Sequence, residues 1–134
     1  MEKQLRTVEQ FQTLIGEQKP SEPQPIPQNN ETTLRYELMR EENEEYLAAI
    51  KDQDLVEVAD ALADMLYILC GTILEHGMDS VILDVFEEVH RSNMSKQQKD
   101  GTILRRLDGK ILKGENYFKP NIKKILNQWK QRQQ

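Results

Sequence analysis

Two acidic stripes lie on segments that otherwise read as buried helices, and they constrain this chain more than any other feature. The first is Glu41, Glu42 and Glu45, in Arg40-Glu41-Glu42-Asn43-Glu44-Glu45-Tyr46. The second is Glu57, Asp60 and Asp64, in a run from Leu55 to Leu74 that is otherwise almost wholly apolar. At about 100° per residue, Leu34, Leu38, Glu41 and Glu45 fall on one stripe, with Glu42 and Ala49 beside it. On the following helix, Val56, Val58, Leu62, Leu66, Leu69, Ile73 and Leu74 cover most of the circumference. Glu57, Asp60, Asp64 and Glu75 align on what remains. A helix apolar nearly all round is a buried one, so its acids are expected to face the interior or a cleft. Carboxylates in such a setting cost several kcal/mol each unless a cation compensates. Oxygen donors in this number suit Mg²⁺, with Mn²⁺ as the alternative.

The competing reading is a solvated acidic face with Lys or Arg partners three or four residues away. It competes on even terms for the first stripe. It is weak for the second, because no basic residue lies between Lys51 and Arg91.

The remaining chain predicts an all-α bundle of about five helices, forming a single domain over residues 1–134. A first helix is predicted over 3–17 from Val8, Phe11, Leu14 and Ile15, with Gly16 as a stop. Residues 19–30 hold Pro20, Pro23, Pro25 and Pro27 and read as an extended, partly polyproline II connector. The second helix is predicted over 33–51, capped by Thr32 or Thr33. The third runs over 55–76, capped by Asp54 and closed by Gly77. The turn at 52–54 is short enough to fold these two back antiparallel. A fourth helix is predicted from Asp79 or Ser80 to about His90, then a loop over 91–101. Residues 103–112 read as a small β-hairpin turning at Asp108-Gly109. Asn121 caps a last helix with the stripe Ile122, Ile125, Leu126 and Trp129.

The formal net charge of −5 argues against coating a nucleic acid polymer. The single Cys70 builds neither a disulfide framework nor a thiolate metal site, and predicts a reducing cytoplasm. The N-terminus lacks a signal-peptide core, and three carboxylates in the apolar run argue against a membrane span. No phosphate-binding G-x-x-x-x-G-K-[ST] loop occurs, and neither His76 nor His90 has an evident nucleophile partner.

Glu42-x-x-Glu45, eleven residues, then Glu57-x-x-Asp60 resembles the E-x-x-E … E-x-x-D signature of the all-α nucleoside triphosphate pyrophosphohydrolases. That superfamily includes MazG-like proteins, dimeric dUTPases and phosphoribosyl-ATP pyrophosphohydrolase. The strings Glu88-Val89-His90-Arg91-Ser92-Asn93-Met94-Ser95-Lys96 and Lys113-Gly114-Glu115-Asn116-Tyr117-Phe118 look like the second half of a MazG-like subgroup. The match runs over roughly residues 5–120.

The resemblance implies Mg²⁺-dependent hydrolysis of a (d)NTP to its monophosphate and pyrophosphate, as nucleotide-pool house-cleaning. By position, Glu42, Glu45, Glu57 and Asp60 would be the metal ligands. Glu41 would take the proton from the attacking water or ligate a further ion. Asp64, one turn beyond Asp60, ranks behind them as a supporting or structural acid. Arg91, Lys96 and Lys113 are the candidates for phosphate oxygens, with Asn93 and Tyr117 beside them. Family members hold the nucleobase near the first helix, so Phe11 can stack on it and Gln12 read its edge. For Phe11 the plain alternative is a core position.

Phosphoanhydride chemistry fits these residues independently, since it asks a protein mainly for positioning and charge neutralisation. Two other functions compete. One is phosphoribosyl-ATP hydrolysis in histidine biosynthesis. The other is a non-catalytic acidic module that binds a basic partner. The nearly all-apolar third helix also predicts a homo-oligomer, dimer or tetramer.

Overall fold

The computed structural model describes residues 1–29 and 33–134. It contains α1 (Glu2–Leu14), α2 (Leu34–Lys51), α3 (Leu55–Glu75), α4 (Ile82–Met94) and α5 (Ile122–Arg132). Among the described residues there is no strand. None of these helices is long and apolar enough to cross a membrane. Two compact units divide the chain, Met1–Ser80 and Val81–Gln134.

In the first unit, α3 packs against α2 and α1. Its ends are set by local chemistry. The Asp54 carboxylate accepts from the backbone N–H groups of Val56 (3.1 Å) and Glu57 (3.2 Å), which caps the N-terminus. At the other end Gly77 adopts φ +65°. Its N–H donates to Leu74 O (2.9 Å) and the N–H of Met78 to Ile73 O (3.0 Å), the paired bonds of a Schellman close. The proline-rich connector finishes the work. Gln24 N donates to His76 O and Gln28 N to Glu75 O, both at 2.9 Å, so the helix's last carbonyls are satisfied. His76 Nδ1 lies 3.0 Å from Gln24 O, a structural role.

α1 turns Leu5, Val8 and Gln12 inward. It ends at Leu14, with Gly16 at φ +84°, rather than reaching residue 17. Asp79 joins α1 to the connector through Arg6 (2.5 Å) and Lys19 (2.7 Å). Burial alone would raise the Asp79 carboxyl. The hydrogen bonds from Lys19 and Arg6 outweigh it and hold the group below its usual range.

α2 and α3 form an antiparallel hairpin centred on Gln53, whose φ is +53°. The small residues Ala49 and Ala61 are buried, one on each helix. The expected all-round burial of α3 is not met within one chain. Ala61, Cys70, Gly71, Leu74 and Glu75 are buried, whereas Leu55, Val56, Leu62, Leu66 and Leu69 are exposed.

In the second unit, α4 packs against α5 with Val81 and Trp129 buried. α4 continues four residues past His90, so the expected loop over 91–101 begins inside a helix. The extension is held from outside. Ser92 Oγ donates to Phe118 O (2.8 Å), and Phe118 N donates to Ser95 Oγ (3.1 Å). Asn121 caps α5 as expected, accepting from Lys124 N at 3.1 Å.

The expected β-hairpin over 103–112 is corrected. The turn is there, with Gly109 at φ +89°, but pairing stops at one isolated antiparallel bridge, Arg105 to Ile111. Ile103, Leu104, Leu107 and Leu112 are all exposed. Two short arms with no buried face are too little to sustain a ladder.

Candidate active site

Glu42 and Glu45 stand three residues apart on one face of α2, and Asp64 meets them from α3. One carboxylate oxygen from each lies within 4.8 Å of the others. The juxtaposition follows from the hairpin register. Glu42 is eleven residues before Gln53 and Asp64 eleven after it.

Glu42 is the electrostatic centre. Its Oε2 is buried and has no hydrogen-bond partner. Desolvation pushes the carboxyl up to about 7, helped by a hydrogen bond to Glu45 that requires a proton and by the charges of Glu45, Asp64 and Asp60. A carboxyl that cannot ionise comfortably alone, facing two more, could hold a hard cation. Oxygens from two rigid helices suit Mg²⁺ or Mn²⁺ on chemistry as well.

The other acids are placed differently. Asp60 is exposed, yet its charge reaches Glu42. Glu57 and Glu41 are exposed and lie outside the close triad. The deep burial expected of all six acids is therefore confined to an oxygen of Glu42, while Asp64 is half-buried. Asp64, ranked last from sequence, is the α3 member of the triad. Glu37 and Glu44 are taken by Arg40, at 2.8 and 2.9 Å.

The first unit also holds the two residues expected near a nucleobase. Gln12 is buried and donates through Nε2 to Gly71 O at 3.2 Å. Phe11 is exposed and meets Tyr67 edge-on, with ring centroids 5.9 Å apart.

The five remaining candidates belong to the second unit. Arg91 is already engaged. Its Nε donates to the buried Glu88 at 2.8 Å, and its guanidinium lies 4.4 Å from the centroid of the Phe118 ring. Glu88 also accepts from Asn121 N at 2.8 Å. Arg91, then this backbone bond, holds its carboxyl below the usual range. Lys113 Nζ sits 4.9 Å from the centroid of the Tyr117 ring. Asn93 is exposed and Lys96 half-buried.

Arg35 on α2 was not singled out from the sequence, and Glu75, which helical spacing sets on the α3 acidic stripe, is fully buried. Glu75 accepts from Asn29 N (2.8 Å) and Asn29 Nδ2 (3.2 Å). The signal for Arg35 was available, since it precedes Glu42 by seven residues, two helical turns on the same face.

A family model for phosphoribosyl-ATP pyrophosphohydrolase matches residues 8–93, which is 86 of the 134 residues. The chain belongs to this family. The family sits within the MazG-like all-α pyrophosphohydrolase superfamily, and its activity is hydrolysis of a phosphoanhydride. The matched stretch contains α2, α3 and all six acids. No curated protein matches the chain.

Proposed function

We propose that this chain hydrolyses a nucleoside triphosphate between its α and β phosphates, releasing pyrophosphate, with Mg²⁺ (or Mn²⁺) held at the α2–α3 carboxylates. The observation that carries the proposal is the buried, unpartnered Oε2 of Glu42 beside Glu45 and Asp64. Glu42, Glu45 and Asp64 would hold the ion, with Asp60 and Glu57 as further ligands at the exposed edge. When bound there, such an ion neutralises triphosphate charge and lowers the pKa of a bound water. The protein fixes the carboxylates on two rigid helices, so little reorganisation is needed as charge develops. Water adds at the α-phosphorus, the bridging oxygen departs with pyrophosphate, and Glu41 accepts the water's proton.

Two substrates compete. The Asn93–Lys96 and Lys113–Phe118 elements, which lie at or beyond the end of the matched stretch, favour a (d)NTP in nucleotide-pool house-cleaning. The family's own description favours phosphoribosyl-ATP, a substrate with the same triphosphate and an added sugar phosphate. The buried thiol of Cys70 suits a reducing compartment such as the cytoplasm.

Incubation with Mg²⁺ and a panel of (d)NTPs, beside phosphoribosyl-ATP, separates these readings by product analysis. Monophosphate and pyrophosphate in equal amounts are expected. Turnover of phosphoribosyl-ATP alone selects the second substrate. No pyrophosphate from any of them, with no metal binding by calorimetry, leaves a non-catalytic binding module.

A further inference from the structure

We infer that Arg35 is a second anchor of this site, binding a phosphate group of the substrate two helical turns along the α2–α3 seam from the carboxylates. The inference rests on the pyrophosphohydrolase reading for the identity of its ligand, though not for the existence of an anion site.

Arg35 stands eighteen residues before Gln53, and Gly71 eighteen residues after it. The two therefore face each other in the same register that brings Glu42 to Asp64, about 10 Å along the helix axis. Gly71 makes room there. A Cβ at that position would lie 2.8 Å from Arg35 Nη1 and 3.0 Å from Gln12 Nε2. Two donor side chains thus converge over a residue that has no side chain of its own.

Gln12 is only 7% exposed and spends its Nε2 on the Gly71 carbonyl. Arg35 is half-buried, and among the described residues its buried Nε has no hydrogen-bond partner. The charge of Glu17 acts on it, yet no carboxylate forms an ion pair with it among the described residues. Burial, and then a hydrogen bond to Glu75, raise the Glu17 carboxyl, while Arg35 lowers it. Glu75, for its part, is taken up by Asn29.

A guanidinium with its Nε–H held from water and no carboxylate fork is costly. A phosphate restores what is missing, because two of its oxygens match the guanidinium fork. It would also hold a substrate at a second point and so fix its orientation on the carboxylates. Such a phosphate has two sources. It is the terminal phosphate of the triphosphate, or the sugar phosphate of a phosphoribosyl arm.

Calorimetry without divalent metal tests the anion site apart from the carboxylates. Inorganic pyrophosphate and ribose 5-phosphate are titrated into the full chain, Arg35→Met and Glu45→Gln. Wild type is expected to bind at least one of them, Arg35→Met at least tenfold more weakly, and Glu45→Gln no more weakly than wild type. Arg35→Met should melt at or above the wild-type temperature, since a buried, unsatisfied N–H is gone. Should it fail to fold, Gly71→Ala serves instead. Its methyl displaces the guanidinium within an intact helix, and binding should weaken several-fold. Equal binding by wild type and whichever variant folds overturns the inference, as does no binding of either anion to wild type.

Turnover assigns the source. A raised KM for every triphosphate points to the terminal phosphate, and a raised KM for phosphoribosyl-ATP alone to the phosphoribosyl arm. A chain inactive on all triphosphates, yet binding pyrophosphate through Arg35, would sink the enzymatic reading and leave the anion site standing.

Discussion

Glu42 and Asp64 stand equally far on either side of Gln53, and the hairpin folds them into one carboxylate triad with Glu45. Their closeness makes the metal-free protein sensitive to pH. The Glu42 carboxyl is raised from 4.5 to about 7 by desolvation and by Glu45. The folded state then holds this proton more tightly than the unfolded state does. Stability is greatest below about pH 4.5 as far as this group is concerned, and is lost as pH rises through 7. Thermal melts without metal should show a falling midpoint between these values. Glu42→Gln should flatten that fall and melt higher at pH 8. An unchanged slope in the variant would show that Glu42 is not the group responsible.

Metal should reverse the effect. A carboxylate must shed its proton to ligate, so Mg²⁺ binding at Glu42 competes with protons. Stabilisation by an ion grows with the ratio of its concentration to its dissociation constant. The rise in midpoint at one fixed Mg²⁺ concentration should therefore be larger at pH 8 than at pH 6, because the dissociation constant falls as Glu42 loses its proton. Equal rises at both pH values would place the ion away from Glu42.

Glu45→Gln and Asp60→Asn should each lower kcat by at least about 100-fold, the scale expected when charge stabilisation at a reacting phosphate is lost. Both side chains are exposed, so the fold should survive with an unchanged circular dichroism spectrum. Asp64→Asn should behave as they do, because Asp64 supplies the α3 oxygen of the triad. Turnover within threefold of wild type in all three variants would remove the site.

What was legible in the sequence was local. Asp54, Gly77 and Asn121 announce helix ends through their own side chains or backbone, and all three act where expected. Glu42 and Glu45 share a face by helical spacing alone. What was illegible depends on partners far along the chain. The last turn of α4 reads as polar loop because its support, the Phe118 carbonyl on Ser92, lies 26 residues away. The segment at 103–112 alternates like a hairpin, yet no second layer covers its apolar side. The meeting of Asp64 with Glu42 and Glu45 depends on the register across Gln53, which the spacing within either helix does not give. Arg91, downstream of the acids, is held by Glu88, a pairing within α4 that its sequence spacing of three residues allows.

Gly77 predicts a large cost for a small change. Its φ of +65° already disfavours any L side chain, by about 1–2 kcal/mol. In addition, a Cβ would stand 2.6 Å from Glu22 O and 2.8 Å from Pro20 Cγ. The obstacle is backbone and a proline ring rather than a flexible side-chain tip, so the connector itself must move. Gly77→Ala should destabilise by on the order of 3 kcal/mol in urea unfolding. Gly109→Ala supplies the control, because nothing lies near its Cβ and only the φ penalty applies. Equal costs in the two variants would mean that the connector does not press on Gly77.

The exposed side of α3 carries an apolar stripe. Leu62, Leu66 and Leu69 are 50%, 41% and 43% exposed in the single chain, on a helix otherwise rich in apolar residues. Spacings of four and three residues set them on one stripe, the geometry by which a helix seats on another helix. Scattered apolar residues are ordinary on a surface, but a contiguous helical stripe is the mark of an interface. A second copy of the chain is the simplest cover, because a two-fold axis along the stripe buries the same residues twice. Light scattering at micromolar concentration should give a mass of at least two chains. Leu62→Asp with Leu66→Asp should reduce it to one, since each carboxylate would enter the apolar contact unpaired. A wild-type mass of 15.7 kDa would show that the stripe stays open to water.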